Sequence, residues 1–330
     1  MRSEKLKQFL VSAFKSGRRV LVKGKPGVGK SELVAMAAAE CNADVVLMHP
    51  AIADPTDFKG MPALTNGGSE AHFLPFGELN RLVNATKLTV CFQDDLGQAA
   101  PAVQAAVMQL NQARSVNGTM ISPHVVFCGA TNDTTHMAGV SGMIEPLKSR
   151  WDTIVELEVS VDDWSNWALT AGMPAELVAF IRFRPALLSD FKPTKEIRNT
   201  PSPRTWAAVG NWLNDGVKDL EVFTGSVGEG AATEFYSFLD MYASLPSLDA
   251  ILLDPKSAEV PEKPAALFAV ASGLARKSTA ANLDRVTTYL ARMPKEFEVM
   301  SIRDAVRLNK GVTQSAAFVT WATRNSEVLL

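Results

Sequence analysis

The sequence has few cysteines, no excess of either charge and no long apolar run. Its 330 residues hold three cysteines, Cys41, Cys91 and Cys128, at spacings that match neither a zinc site nor a disulfide framework. Cys91 and Cys128 lie inside the apolar runs 88–92 and 125–128, where a thiol reads as a small buried hydrophobe. Without a disulfide framework the chain fits a reducing compartment. Lys plus Arg number 33 and Asp plus Glu 35, a formal charge of −2. That balance speaks against the basic face of a nucleic-acid motor, although a local patch can hide inside such a total. No apolar run approaches the ~18–20 residues needed to cross a bilayer. The start Met1-Arg2-Ser3-Glu4-Lys5 alternates charge with no apolar segment behind it, so no secretory signal is expected and the expected location is cytoplasmic.

What is present is an ordinary globular composition, 47% apolar and 21% charged, which argues against disorder and leaves room for more than one structural unit. Leu6, Phe9, Leu10, Ala13 and Phe14 recur at helical spacing, and Ser16-Gly17 ends that helix. Short apolar strands are expected at 19–22, 44–48, 88–93, 124–130 and 153–159. Helices are expected from Lys30 through Glu40 and over 101–114, the latter with proline in its first turn. Asn117-Gly118 predicts a tight hairpin. Residues 51–76 carry turn and breaker signals throughout and are expected to be irregular. Strands alternating with helices indicate an α/β fold, a parallel sheet covered on both faces. After Ser160 strand signals fade and helical patterns take over. The expected division is a nucleotide-binding core over 1–160 and a helical lid over 161–245. A proline-rich linker over 246–264 and a C-terminal helical extension over 265–330 complete it.

The strongest local signal is Gly24-Lys25-Pro26-Gly27-Val28-Gly29-Lys30-Ser31, which fits G-x-x-x-x-G-K-[ST] between a strand and a helix. Its glycines let backbone N–H groups turn inward around phosphate oxygens, and the following helix presents its positive end to the anion. Gly24, Pro26, Gly27, Val28, Gly29, Lys30, Ser31 and Glu32 are the residues expected around the phosphates. Lys30 is expected at the β- and γ-phosphates and Ser31 on Mg²⁺. Asp94-Asp95 closes the strand 88–93. Taken alone, two acids there also fit a helix cap or a solvated loop. Behind a phosphate loop, one carboxylate can help hold Mg²⁺ while its neighbour orients or deprotonates the attacking water. Asn132 ends the next strand, where an amide can position a water and where a plain turn former is equally at home. Arg150 follows a short helix before the last strand, and Arg204 opens a helix of the second unit. Arginine opposes the macrodipole at that end, which calls for an anionic ligand.

Taken in order, this phosphate loop, acid pair, asparagine and two arginines resemble the Walker A, Walker B, sensor-one, arginine-finger and sensor-two series of AAA+ ATPases. More narrowly, Asp57-Phe58-Lys59-Gly60-Met61-Pro62 and Asp95-Leu96-Gly97-Gln98-Ala99-Ala100-Pro101-Ala102-Val103-Gln104-Ala105-Ala106 are similar to the insert and post-Walker-B helix of the MoxR and dynein-related group. The resemblance covers residues 17–245. It implies an ATP hydrolase in which Lys30, Ser31, Asp94, Asp95 and Asn132 form the site within one subunit. Arg150 then reaches the nucleotide of the next subunit, and Arg204 contacts phosphate from the lid in cis or in trans. ATP and Mg²⁺ are the implied cofactors. The implied assembly is a homo-oligomeric, hexameric ring that remodels or activates a protein partner, one carrying a von Willebrand A-like domain. Where the group has Asp-Glu this chain has Asp94-Asp95, one methylene shorter at 95, which bears on the hydrolysis rate. Lys148 is a second candidate for the interface cation, after Arg150. Residues 54–75, 115–122 and 133–142 are candidate contact loops. Phe73 and Leu74 in the first of them, and Phe76 just after it, also fit core anchors of the insert. Two other classes remain open, a nucleic-acid-stimulated motor or loader and a nucleotide-dependent scaffold that barely hydrolyses.

Overall fold

A computed structural model describes residues 1–132, 142–192 and 196–329. The chain divides into two compact units, the first over Met1–Ser160 and the second over Val161–Asp190 and from Glu196 onward.

The first unit begins with α1 (Ser3–Lys15), β1 (Val20–Lys23), α2 (Lys30–Glu40), β2 (Asp44–Met48) and α3 (Thr56–Lys59). Then come β3 (Met61–Thr65), β4 (Glu70–Leu74), α4 (Gly77–Val83), β5 (Thr89–Gln93) and α5 (Pro101–Ala113). It ends with β6 (Ser115–Val116), β7 (Thr119–Met120), β8 (Val125–Thr131), α6 (Glu145–Lys148) and β9 (Thr153–Glu156). Five of these strands form one parallel sheet in the order β2-β5-β8-β1-β9. This is the expected α/β fold, and its alternation of side chains explains it. Val20 and Val22 pack on one face with Leu6, Leu10 and Phe14 of α1 and Val34 of α2. Leu21, between them, packs on the other with Leu79 and Leu82 of α4 and Val103, Val107 and Leu110 of α5. Successive strand residues point to opposite faces, so a strand with helices on both sides must be apolar at every position. Each such side chain, fully buried, contributes roughly 1.5–3 kcal/mol.

Strand ends fall on the expected positions or within three residues of them, the usual fraying. Residues 51–76 differ from expectation. They contain α3 and an antiparallel hairpin, β3 with β4, turning at Asn66-Gly67-Gly68, all three at positive φ. All of β4 is exposed, and so is Phe76, so Phe73, Leu74 and Phe76 are not core anchors. With neither face buried, nothing imposes the alternation by which a strand is recognised. The Asn117-Gly118 hairpin forms as expected, with φ of 44° and 99° joining β6 to β7.

The second unit is helical. Its first helices are α7 (Val161–Thr170), α8 (Ala175–Phe183), α9 (Pro203–Asn214), α10 (Leu220–Val227) and α11 (Glu229–Ala243). Phe180, Trp206, Phe223 and Phe235 pack among them in tilted and edge-on pairs with ring centroids 5.0–5.6 Å apart. The rest comprises α12 (Leu248–Leu253), α13 (Pro264–Lys277), α14 (Leu283–Leu290), α15 (Lys295–Leu308), α16 (Ala316–Arg324) and α17 (Ser326–Leu329). Residues 246–264, expected as a linker, are corrected here. They hold α12, whose Ile251 is 1% exposed within the cluster formed by α13, α14 and α15. The prolines at 246, 255, 261 and 264 bracket short structured pieces instead of an extended crossing. Two buried carboxylates tie α15 down: Asp304 pairs with Arg182 of α8, and Glu298 accepts from Trp321 Nε1 of α16 at 3.0 Å and pairs with Arg324 of the same helix.

Candidate nucleotide site

The glycine-rich turn connects the carboxyl end of β1 to α2. Gly27 and Gly29 have φ of 72° and 94°, values a side chain resists, and Gly29 leads directly into the helix with no side chain capping it. The first-turn N–H groups of α2 are therefore left to a ligand or to solvent.

Lys30 is 7% exposed and folds back over this turn. Its ammonium donates to Gly24 O and Lys25 O, both at 3.0 Å, and to Asn132 Oδ1 at 2.7 Å. Asn132 (8% exposed) stands at the end of β8, the strand between β1 and β5. Its amide nitrogen donates to Asp95 Oδ1 at 3.3 Å. Ser31 Oγ donates to Asp94 Oδ2 at 2.6 Å, and Asp94 Oδ1 accepts from Asp95 N at 2.9 Å. The ends of three adjacent parallel strands thus bring together Lys30, Ser31, Asp94, Asp95 and Asn132, residues up to 102 positions apart in the chain. Strand order is the cause. With β8 between β1 and β5, the asparagine lies between the lysine and the acid pair.

Asp95 has φ 53° and ψ 34°, the left-handed region, which aspartate tolerates better than most residues and which recurs at functional sites. It makes no side-chain cap to the turn it precedes, so the helix-cap alternative is not realised.

These groups fit a magnesium-bound nucleoside triphosphate. A buried ammonium beside an open helix N-terminus suits phosphate oxygens. Among the described residues no cluster of three or more His, Cys, Asp or Glu exists to cage a metal. One carboxylate and one hydroxyl suit Mg²⁺, which takes few protein ligands and completes its shell with phosphate and water.

Arg150 and Arg204 are not part of this network. Arg150, half-buried after α6, donates from Nε to Gln112 Oε1 at 2.7 Å and from Nη1 to Ser149 Oγ at 2.9 Å. Lys148 is ion-paired to Glu145 at 2.7 Å. Arg204 is exposed in the first turn of α9 and makes no hydrogen bond or ion pair among the described residues. A capping box between Ser202 and Thr205 starts that helix. Of the candidate contact loops, 133–142 lies, Gly142 apart, outside the described residues.

Several polar residues that support the site escaped sequence reasoning. Thr131 Oγ1 accepts from Gly97 N at 3.2 Å, tying β8 to the turn after the acid pair. Gln93, fully buried just before Asp94, exchanges two hydrogen bonds with Asn111 of α5 at 2.7 and 3.1 Å. Gln104 and Asn111 fall seven apart on the apolar stripe of α5 with Val107 between them. Amides inside such a stripe are the signal that could have found them.

No helix among the described residues is long and apolar enough to cross a membrane. No protein-family profile matches the chain, and no curated protein sequence matches it as a relative. Among solved structures, a mutant of Thermotoga maritima RuvB is similar over 91% of this chain and 86% of its own, at 16% identity and a TM-score of 0.43. The Thermotoga maritima RuvB Holliday junction branch migration motor matches over 88% and 86%, at 18% identity and a TM-score of 0.41. NtrX from Brucella abortus matches over 93% and 68%, at 15% identity and a TM-score of 0.39. Likenesses at these levels assign no activity.

Proposed function

We propose that this chain is an ATP hydrolase of the AAA+ type that completes its active site with an arginine from a neighbouring copy. The observation that carries the reading is the convergence of Lys30, Ser31, Asp94, Asp95 and Asn132 at three adjacent strand ends. Lys30 exchanges its carbonyl acceptors for phosphate oxygens, and Ser31 and Asp94 open their mutual hydrogen bond to hold Mg²⁺. When bound, Mg-ATP supplies the phosphoanhydride and the divalent charge that neutralises it. Asp95 takes the proton of the attacking water, and Asn132, already bonded to Asp95, sets the position of that water. Arg150 is the cation offered to the adjacent subunit, where a guanidinium supplied in trans is worth about 10³–10⁵ in rate. Arg204 serves phosphate from the lid, residues 161–245.

Within AAA+ proteins the motifs at 57–62 and 95–106 favour the MoxR group. That placement carries with it a hexameric ring, a protein partner with a von Willebrand A-like domain, and remodelling or activation of that partner. The test is Arg150→Ala: turnover should fall by at least 10³ while ATP binding is retained. Turnover equal to wild type would remove the shared-site mechanism.

A further inference from the structure

Two glutamines of α5 stand outside the roles assigned so far. Gln104 is fully buried, and its amide is fully used. Nε2 donates to Ala99 O and Gly142 O, both at 2.9 Å, and Oε1 accepts from Ile144 N at 2.8 Å. It therefore clamps the chain as it approaches α6. Eight residues on, exposed Gln112 accepts Arg150 Nε at 2.7 Å. A guanidinium has five N–H donors in a fixed plane. Gln112 engages it through Nε and Ser149 through Nη1, on either side of Nη2. Nη2 makes no hydrogen bond among the described residues. The plane of Arg150 is thus set from two sides while Nη2 stays available to an anion.

The same helix also braces the subunit's own acid pair. Its Asn111, next to Gln112, holds Gln93, which precedes Asp94. The last turn of α5, at Asn111 and Gln112, thus both braces the subunit's acid pair and holds the arginine it would donate.

We propose that Gln112 is a positioning residue for the arginine given to the neighbouring site, with Gln104 fixing the segment from which Arg150 projects. This rests on the shared-site reading above and adds to it the groups that aim the arginine. Gln112→Ala is exposed and removes one hydrogen bond, so the subunit keeps its fold and its nucleotide affinity. Misplacing a catalytic group by about 1 Å costs roughly 100-fold, and the variant's turnover should fall about 10- to 100-fold.

Mixing separates aiming from any effect on the subunit's own site. Asp95→Asn subunits have a dead site and an intact arginine. Added in equal amount to Gln112→Ala subunits, they should restore turnover well above the sum of the two variants alone. Arg150→Ala subunits, mixed the same way, provide the reference. Recovery with both Gln112→Ala and Arg150→Ala supports the proposal. Recovery with Arg150→Ala alone, or wild-type turnover by Gln112→Ala unmixed, overturns it and leaves the shared site standing. No recovery with Arg150→Ala overturns both.

Discussion

Replacing Gly129 by alanine should cost this protein stability and, through one neighbouring ring, activity. Gly129 is buried on β8, level with Leu21 of β1. A Cβ there would lie 2.8 Å from Trp151 Cη2, 2.9 Å from Trp151 Cζ2 and 3.0 Å from Leu21 Cδ1. Carbon atoms pack at about 3.5–4.0 Å, so the ring must retreat by roughly 0.6–1 Å. Trp151 is 7% exposed and rigid, with little space to retreat into. Overpacking of this kind costs about 1–3 kcal/mol. At about 2–4 °C per kcal/mol for a unit of this size, Tm should drop by about 2–12 °C. Because Trp151 adjoins Arg150, the displaced ring also moves the arginine proposed for donation, and on that proposal turnover falls by up to about 100-fold with no loss of ATP binding. Calorimetry and steady-state ATPase assays on Gly129→Ala, Trp151→Phe and the double variant check this. Phenylalanine lacks the two clashing atoms, so the double variant should be less destabilised than the sum of the singles by about 0.5–3 kcal/mol. A Tm within 1 °C of wild type for Gly129→Ala, or strict additivity, would refute the packing argument.

Three further outcomes are expected. Asp95→Asn keeps a residue that tolerates the left-handed backbone but removes the proposed base, so turnover should fall about 10²–10⁴-fold with nucleotide affinity intact; a fall of less than tenfold counts against Asp95 as the base. Ser202→Ala breaks the capping box of α9, and by about 0.5–2 kcal/mol it should destabilise the second unit, with Ser202→Asp restoring it in denaturant titrations. The hydrogen bond from the Arg19 guanidinium holds the Asp152 carboxyl below the usual carboxylate range. That pair contributes stability above the unfolded value near 4 and loses it as pH falls through the lower folded value, so Asp152→Asn should flatten the acid limb of a Tm–pH curve below about pH 4.

The glycine-rich turn between β1 and α2 was legible because everything that defines it is local: a strand, glycines where the chain must turn backward, a lysine and a hydroxyl at a helix start. The acid pair and Asn132 were legible as strand-end residues, and their order along the chain suggested a common site. The sequence did not carry which strands are neighbours. The hairpin at 61–74 was invisible because exposed strands carry no alternation, and α12 was hidden by the prolines around it. Gln93, Gln104, Asn111 and Gln112 had no role assigned from the sequence, because the partners that reveal them lie 18 to 40 positions away.

The sequence by itself determined the elements of the core, the apolar strands that must lie between two layers of helices, and the chemistry available at the end of β1. These are short-range properties, set by periodicity and by conformational preference within a few residues. Only the tertiary structure decided that β8 lies between β1 and β5, so that Asn132 bridges Lys30 to Asp95, and that one helix braces the acid pair while holding Arg150. Such pairings join residues distant in the chain. They are selected by which packing of the sheet buries both faces at once, a condition no local window contains.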